Sequence, residues 1–428
     1  MIPTSAREYE ADIETAAKAA EPLPEALHGL VAEAVEESAT DIHIDAWGHE
    51  AAVRFRVDGT IHEREPLTYD QARKLINQIK VAAGADLPTA HRPFEGHFRW
   101  STGEVHRDLR VTVVWTAPRH EAAHLRLLTP PEQWRNVRNL GLGSRDLAAV
   151  ERTLQTARGL VLISGPTGSG KTTTLYSLTG LTDLRGRIAA SIEDPTEYDL
   201  PYVRQLEVKE KHGFTMEEGL RTILRLDPDV VLVGEVRDAG SARIATRAAL
   251  AGRLVLATVH ARDAAAAIET MHYLSVPYYV LGGALRLVIA QDLIRKVCLR
   301  CARRRPPAPH ERSLFEQAGL TPPDVVADSE GCPECFCYGY RGRTGVFQVA
   351  TVDDELGNWL AAGRRQQDVR ERLLASGSRP LVADAMEKSA AGITTVREVL
   401  RFYGQSIDRP LAVYPEATEE SAAFGGDA

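Results

Sequence analysis

The segment GPTGSGKT, residues 165–172, has the residue types that hold the phosphates of a nucleoside triphosphate. It fits the spacing G-x-x-x-x-G-K-[ST], in which glycines let backbone N–H groups turn toward phosphate oxygens. Lys171 would place its charge on the β- and γ-phosphates, and the Thr172 hydroxyl would ligate Mg²⁺. An apolar run precedes the segment and TTTLYSLTG continues it as a helix, whose N-terminus favours anions. The sequence therefore predicts an ATP site at Gly165, Pro166, Thr167, Gly168, Ser169, Gly170, Lys171, Thr172 and Thr173.

Two groups of carboxylates end apolar stretches that are typical of strands. Glu235 ends DPDVVLVGE, while Glu193, Asp194 and Glu197 lie in SIEDPTEY. A doubly wound sheet binds its ligands at the carboxyl ends of its strands. Phosphoryl transfer there needs Mg²⁺ and an oriented water, which acidic groups supply. Alone, each group is typical of a solvated strand end, but beside a phosphate-binding loop they indicate catalysis.

One histidine and four arginines are further candidates. His260 ends the apolar run LVLATV, where it would sense a γ-phosphate, although a lone histidine more often packs in the core. Arg54, Arg56, Arg110 and Arg126 lie on strand-like segments, and the default interpretation is a solvated sheet face. The sharper hypothesis is that some of them reach a nucleotide across a domain or subunit interface as arginine fingers.

Four of the five cysteines form two close pairs, Cys298 with Cys301 and Cys332 with Cys335. Four thiolates at this spacing suit a tetrahedral, structural Zn²⁺ site, because no coordination position is left open. The long segment between the pairs adds little cost, since loop-closure entropy grows slowly with length. A redox pair is the competing interpretation. Cys337 is a bystander or an alternative ligand.

Composition excludes several classes of protein. With 428 residues, of which 44% are hydrophobic and 26% charged, the chain has the make-up of two or three globular domains. Fifty-one basic residues against 59 acidic ones give a net charge of −8, which disfavours a protein that coats nucleic acid. No segment has the pattern of a signal peptide or a membrane-spanning helix. The few cysteines indicate a reducing, cytoplasmic compartment, with membrane attachment only through partners.

The hydrophobic pattern changes character at Thr129-Pro130-Pro131. Before it, a helix at 25–37, alternating strands, an Asp58-Gly59 hairpin turn and a helix at 69–83 predict an α/β domain with an antiparallel sheet. After it, strands at 160–164, 188–192, 230–233 and 254–258 alternate with helices, which predicts a parallel sheet with crossover helices. Thr395 and Glu398 form a capping box that opens the last helix.

In this order the motifs resemble the secretion traffic ATPases, and within them the GspE/PilB-type assembly motors of type II secretion and type IV pili. The resemblance covers about residues 27–403. The segments that carry it are DIHI…VRFRVDG, LRVTVVWTAP…LRLL, GPTGSGKTTTLYSL, SIEDPTEY, GLRTILRLDPDVVLVGEVRD, GCPECFCYGYRGRTGVF and GITTVREVLR.

The resemblance implies a homohexameric cytoplasmic ATPase that docks on an inner-membrane platform protein and drives the assembly of pilin or pseudopilin subunits. It implies no nucleic-acid partner and no direct membrane insertion. Lys171 and Thr172 would hold phosphate and Mg²⁺, Glu193 and Glu235 would serve metal and water, and Arg110 and Arg126 would come from the N-terminal domain. The four cysteines favour an assembly motor, because pilus retraction motors usually lack them.

We therefore predict seven segments: a flexible N-terminus (1–25), an N-terminal α/β, PAS-like domain (26–129), a linker (130–142), a RecA-like ATPase core (143–296), a tetracysteine zinc element (297–350), a C-terminal helical region (351–405) and a flexible tail (406–428).

The chain departs from the family pattern in its histidine segment, AGRLVLATVHAR. Arg253 stands where a histidine is expected, and Ala261 and Arg262 replace the usual Thr and Asn, while RHEAA replaces a G-E-K-like turn. The short N-terminus predicts that the extra domain by which many assembly motors bind their membrane partner is missing. Two other functions remain open: a nucleic-acid-translocating, conjugation-type ATPase, and a nucleotide-gated scaffold with little turnover.

Overall fold

The computed structural model describes residues 23–47, 49–85, 92–103, 105–117, 120–128, 136–363 and 365–407. Almost all of the two segments predicted to be flexible, 1–25 and 406–428, and part of the predicted linker lie outside these residues. The chain divides into two units, Met1–Pro130 and Pro131–Ala428. The finer division of the second unit stays a prediction. Over the ranges just given, no helix is both long and apolar enough to cross a membrane.

Among its described residues, the first unit contains an antiparallel sheet and two helices. The helices are α1 (Glu25–Glu36) and α2 (Tyr69–Ala82). The strands are β1 (Ala39–Trp47), β2 (Glu50–Val57), β3 (Thr60–Glu63), β4 (Leu67–Thr68), β5 (Phe94–Thr102), β6 (Val105–Thr116) and β7 (His120–Leu127). They are ordered β3-β2-β1-β7-β6-β5, with β4 beside β2. The predicted antiparallel sheet is confirmed.

Alternation along β2 separates a buried face from a polar one. Val53, Phe55 and Val57 are buried, whereas Arg54 and Arg56 point to the opposite side because successive side chains alternate across a strand. The two helices pack on the sheet and contribute their own buried apolar residues to this core. The arginines therefore lie on the polar face of the sheet, opposite the buried face.

The Asp58-Gly59 turn between β2 and β3 has the predicted geometry. Both residues have positive φ, 49° and 82°, and Val57 pairs with Thr60 across the turn. Two residues with positive φ match the right-handed twist of the flanking strands, which is why Asp-Gly is favoured at this turn.

The second unit contains eleven of the helices that the structure describes. They are α3 (Ser144–Gln155), α4 (Lys171–Thr179), α5 (Met216–Leu224), α6 (Ala239–Leu250), α7 (Ala264–Tyr273), α8 (Tyr278–Ala284), α9 (Pro309–Gln317), α10 (Asp354–Ala361), α11 (Gln366–Ala375), α12 (Leu381–Ala390) and α13 (Val396–Ile407). The strands are β8 (Gly159–Ser164), β9 (Ala189–Glu193), β10 (Val203–Glu207), β11 (Val230–Val233), β12 (Leu254–Val259), β13 (Leu285–Val297), β14 (Ala302–Arg305), β15 (Val326–Ser329) and β16 (Tyr340–Thr351).

The main sheet of this unit is mixed, in the order β10-β9-β11-β12-β8-β13-β16. The four predicted strands correspond to β9, β11, β12 and β8, which are neighbours and parallel. The predicted parallel arrangement is confirmed for these four strands. The sheet also contains β16, which was not predicted and runs antiparallel to β13. The chain returns to β16 from the two-stranded cysteine segment, β14-β15, and an antiparallel neighbour needs no crossover helix.

Both faces of this sheet are covered, so its central strands are apolar throughout. Along β8, Leu160 and Leu162 belong to one hydrophobic core, and Val161 and Ile163 belong to the other. Parallel strands buried on both sides are continuous hydrophobic runs, as the sequence shows. Because four parallel strands lie side by side, the residues at their carboxyl ends meet at one edge.

A third core joins the cysteine segment to the last two helices. It contains Ile294, Phe315, Val346, Met386 and Val399. In the predicted capping box, the Thr395 hydroxyl oxygen accepts a hydrogen bond from the Glu398 amide at 3.1 Å. The Glu398 side chain, which is fully buried, pairs with Arg295 on β13 at 2.6 Å. The capping motif thus also anchors α13 to the main sheet.

Candidate nucleotide site and metal centre

The phosphate loop, defined here as Gly165–Thr172, joins β8 to α4. Gly165 has φ 158°, and a Cβ at this position would collide with the Gln291 carbonyl oxygen and the Ser169 hydroxyl. Gln291 on β13 also donates from Nε2 to the Ser169 carbonyl, at 2.6 Å. The loop therefore closes tightly around a position that only glycine can occupy, which fits a cradle for phosphate oxygens.

Lys171 is the first residue of α4 and turns back over the loop. Its Nζ donates to the carbonyl oxygens of Gly165 and Pro166, both at 2.9 Å, and lies 3.4 Å from Nδ1 of His260. Burial lowers the pKa of Lys171, and the negative charge of Glu235 opposes this shift. The structure thus brings three of the predicted residues, Lys171, Glu235 and His260, into one cluster.

Glu235, which follows β11, lies between His260 and Arg237. Arg237 was not among the site residues predicted from the sequence. The Glu235 Oε1 contacts Nε2 of His260, and the Glu235 Oε2 accepts from Arg237 at 2.7 Å. A neutral His260 with its proton on Nε2 satisfies both Glu235 and Lys171. Arg237 also pairs with Asp194 at 3.2 Å, and its hydrogen bond to Glu235 raises its pKa. Arg237 follows the predicted catalytic glutamate by two residues, and this spacing is the signal in the sequence that could have identified it.

Glu193 ends β9 and is 2% exposed. Its carboxylate accepts hydrogen bonds from the Tyr176 hydroxyl, from Ser191 Oγ at 2.6 Å and from Gln205 Nε2 at 3.1 Å. Burial, followed by the charge of Glu193, raises the pKa of Tyr176. Ser191 belongs to the same SIEDPTEY motif as Glu193, whereas Tyr176 on α4 and Gln205 on β10 are distant in the sequence and no local motif points to them. The predicted glutamate is therefore held rigidly at the edge of the sheet.

Gly234 lets the segment after β11 pass close to Glu193. A Cβ on Gly234 would lie 3.1 Å from the Glu193 Cα. The Gly234 amide donates to the Ile192 carbonyl at 2.8 Å, and its carbonyl accepts from Thr258 at 2.5 Å. These bonds join the ends of β9, β11 and β12. They place the two predicted glutamates on adjacent strand ends.

The unusual arginines of the histidine segment lie at opposite ends of β12. Arg253 precedes the strand and bonds the Pro228 carbonyl at 3.1 Å and Asp227 at 3.3 Å. His260 follows the strand, and six residues of strand span about 20 Å. Arg253 is therefore remote from the phosphate loop, whereas Arg262 is exposed only two residues after His260.

In the first unit, Arg110 and Arg126 lie opposite each other on β6 and β7. Directly paired residues point to the same face, and Arg126 is also paired in register with Asp41 on β1. Asp41 is in turn paired with Arg56 on β2, next to a register shift between Ala39 and Asp41. Three predicted arginines thus form one row across the polar face. Arg54 lies on the same face, where it pairs with Asp45.

Asp41 anchors Arg126. Asp41 was not among the site residues predicted from the sequence. The Asp41 carboxylate accepts from Arg126 Nε at 3.1 Å, from His124 Nε2 at 2.8 Å and from the Thr40 hydroxyl at 2.8 Å. Burial opposes ionisation, but the bonds from His124 and Thr40 and the charge of Arg126 hold the pKa of Asp41 well below its usual range. Arg126 remains 57% exposed, so an anchored guanidinium is presented at the surface.

The four predicted zinc ligands come together. The Sγ atoms of Cys298, Cys301, Cys332 and Cys335 all lie within 4.8 Å of one another, with 4.0 Å from Cys298 to Cys332 and 3.8 Å from Cys301 to Cys335. Four sulfurs about 2.3 Å from one tetrahedral Zn²⁺ are separated by about 3.8 Å. The cluster therefore has the dimensions of a structural zinc site.

Two backbone amides point at one of the ligands. Cys332 N and Gly339 N each lie 3.2 Å from the Cys335 Sγ. Burial opposes ionisation of Cys335, but these amides, together with hydrogen bonds from the Cys332 and Cys301 side chains, lower the pKa of the thiol to about 7. A thiolate held by N–H groups is suited to bind a metal ion. Cys337 is exposed and is not part of the cluster.

We expect about one Zn²⁺ per chain, and we expect Cys332→Ser to lower zinc content and the thermal midpoint together. The reason is that binding free energy at a structural site is also folding free energy. Metal analysis and thermal unfolding measure the two quantities. Cys337→Ser is the matched control and should keep its zinc. Full zinc occupancy in Cys332→Ser would contradict the assignment.

The chain is similar to known proteins in sequence and in fold. A family model described as type II/IV secretion system protein matches residues 16–401. The type II secretion system protein E of Pseudomonas aeruginosa is 37% identical over 383 residues, which make up 89% of this chain and 75% of that protein. The type IV pilus assembly ATPase PilB of Thermus thermophilus is 33% identical, over 87% of this chain and 42% of its own. The solved structure of the ATPase DotB of Legionella pneumophila shares the fold, with a TM-score of 0.68 at 19% identity, and the match covers 90% of this chain and 98% of that one.

Proposed function

Because the chain belongs to the type II/IV secretion system protein family, we propose that it hydrolyses ATP to power the assembly of pilin or pseudopilin subunits. The observation that carries the proposal is the cluster of Lys171, Glu235 and His260 beside a closed phosphate loop. Relatives named type II secretion system protein E and PilB support the role in secretion or pilus assembly.

Each residue of the site has a role in this proposal. The phosphate loop and Lys171 hold the phosphates of ATP. Thr172 and Glu193 would hold Mg²⁺, which neutralises phosphate charge when bound. Glu235 orients the attacking water and accepts its proton, since its charge acts on Lys171 and it is aligned by Arg237. His260, which contacts both Lys171 and Glu235, links the phosphate-binding side of the site to the water side.

The proposal includes a ring of six chains in the cytoplasm, held at the inner membrane through a platform protein. In such a ring, Arg126 and Arg110 of one chain would reach ATP bound by its neighbour. The polar face of the first unit supports this role, because Asp41 fixes Arg126 in place while leaving its guanidinium exposed. An arginine that arrives from a neighbour offsets the charge that develops on the γ-phosphate.

The direct test is hydrolysis of Mg-ATP by the purified full chain, with the mass of the assembly measured by light scattering. We expect phosphate release that depends on Mg²⁺ and a particle of six chains. In the native host, deletion of the gene should abolish surface pili or secretion, and the wild-type gene should restore them. A chain that binds ATP but does not turn it over would instead support a nucleotide-gated scaffold.

The role of Arg126 in trans predicts complementation between two inactive variants. Arg126→Ala and Lys171→Ala should each be inactive alone, because one lacks the arginine and the other lacks the phosphate-binding lysine. In mixed rings, about a quarter of the interfaces would pair an intact loop with an intact arginine if mixing is random. ATPase activity should therefore partly return on mixing.

The control for this experiment is proof of mixed rings, by co-purification of the two variants through different affinity tags. Each variant, dissociated and reassembled alone, should stay inactive. If verified mixed rings remain inactive, Arg126 acts within its own chain, because every site in the mixture would then be defective.

A further inference from the structure

Tyr176 connects the helix that follows the phosphate loop to the buried glutamate. It lies on α4, one turn after Thr172, so the two side chains share a face of the helix. Its hydroxyl donates to Glu193 Oε2, and it also accepts the Glu197 amide at 3.4 Å. One short stretch of helix therefore carries both the hydroxyl proposed to bind Mg²⁺ and the group that contacts Glu193.

The three donors to Glu193 are not equivalent. Ser191 and Gln205 both donate to Oε1, and both belong to the sheet. Gln205 also bonds the loop after β9, through the Tyr198 carbonyl at 2.9 Å. Of the three, Tyr176 alone contacts Oε2 and alone comes from the helix of the phosphate loop. The Tyr176 hydroxyl thus fixes the orientation of the Glu193 carboxylate relative to α4.

A cavity lies against the Tyr176 ring. Its volume is about 350 Å³, and it is lined mainly by α4 and by the loops at 182–185 and 198–202. The lining includes Thr173, Tyr198 and Tyr202. Packing against a cavity does not restrain a ring on that side, because no atoms are in contact there. On its other sides the ring packs against the core that contains Leu178 and lies edge-on to Tyr198, so the hydrogen bond to Glu193 adds a directional restraint on the hydroxyl.

We propose that Tyr176 is a positioning residue for Glu193, coupling the orientation of this carboxylate to the helix that presents Lys171 and Thr172. The inference rests on the proposed ATP hydrolysis. Tyr176 does not touch the nucleotide in this scheme. It acts by holding one oxygen of Glu193, so that the carboxylate and the Thr172 hydroxyl keep a constant separation while α4 responds to phosphate.

Tyr176→Phe keeps the ring and removes only the hydroxyl. We expect kcat for Mg-ATP to fall about 10- to 100-fold, the range for a hydrogen bond to a charged group. The KM for ATP should change less than about twofold, since the phosphate loop is intact. Tyr202→Phe is the matched control, because Tyr202 lines the same cavity and is 63% exposed. It should keep the wild-type kcat.

A double-mutant cycle with Glu193→Gln separates positioning from a general structural effect. If Tyr176 acts through Glu193, then Tyr176→Phe should change kcat little once Glu193 has been replaced. Independent, multiplicative losses would overturn the inference, and so would a wild-type kcat in Tyr176→Phe. An inactive wild-type chain would refute the proposed function instead, so the two failures are distinguishable.

Discussion

Lys171→Ala is expected to abolish Mg-ATP turnover, with kcat reduced at least about 1000-fold. The Lys171 ammonium group is the positive charge that the structure holds over the phosphate loop, through two carbonyl oxygens and His260. Without it, charge that develops between the β- and γ-phosphates loses its stabilisation. The fold should remain, because these contacts are to the loop itself and to the site and not to a hydrophobic core. Phosphate release and the thermal midpoint, measured on the same preparation, check both expectations.

Lys209→Ala is the matched control for this variant. Lys209 is an exposed lysine of the same unit, paired with Glu207 at the surface. Surface ion pairs contribute little to stability, so both the turnover and the thermal midpoint should stay near those of the wild type. Wild-type turnover in Lys171→Ala would contradict the assignment of Gly165–Thr172 as the loop that binds the phosphates of ATP.

Glu235→Gln is expected to retain ATP binding and to slow hydrolysis about 100- to 1000-fold. The amide keeps the size of the carboxylate, and its oxygen can still accept from Arg237. It cannot take a proton from water, so the loss should appear in kcat and not in the affinity for ATP. Single-turnover kinetics and binding of a fluorescent ATP analogue measure the two quantities separately.

The control for Glu235→Gln is Glu355→Gln, because Glu355 is an exposed glutamate that pairs with Arg372 at the surface. It should hydrolyse ATP at the wild-type rate. Weaker ATP binding with a normal kcat in Glu235→Gln would mean that Glu235 serves only to bind the nucleotide.

The local features of this protein followed from the sequence. The phosphate loop, the Asp58-Gly59 turn and the four central strands each depend on residues that are close together in the chain. Backbone conformation at a glycine, alternation across a strand and continuous apolar runs are properties of short segments. The four zinc ligands could also be predicted together, because four cysteines in two close pairs have few roles other than binding one metal ion.

Other features depend on contacts between distant segments. Two of the three groups that hold Glu193, Tyr176 and Gln205, come from the helix of the phosphate loop and from the neighbouring strand β10. Asp41 and the arginine it anchors are separated by 85 positions. No periodicity in either segment indicates such a pair, since it depends on the register between two strands.

The sequence by itself determined the chemistry that is available: a loop for phosphates, carboxylates and a histidine at strand ends, arginines on a polar sheet face and four thiolates. Only the tertiary structure decided which of these groups meet. It brought Lys171, His260 and Glu235 into contact and separated Arg253 from them by the length of β12. It also added β16 to the sheet in the antiparallel direction. The physical reason is that strand order, register and side-chain hydrogen bonds are set by packing over the whole chain, whereas residue type and short-range periodicity are written in each segment.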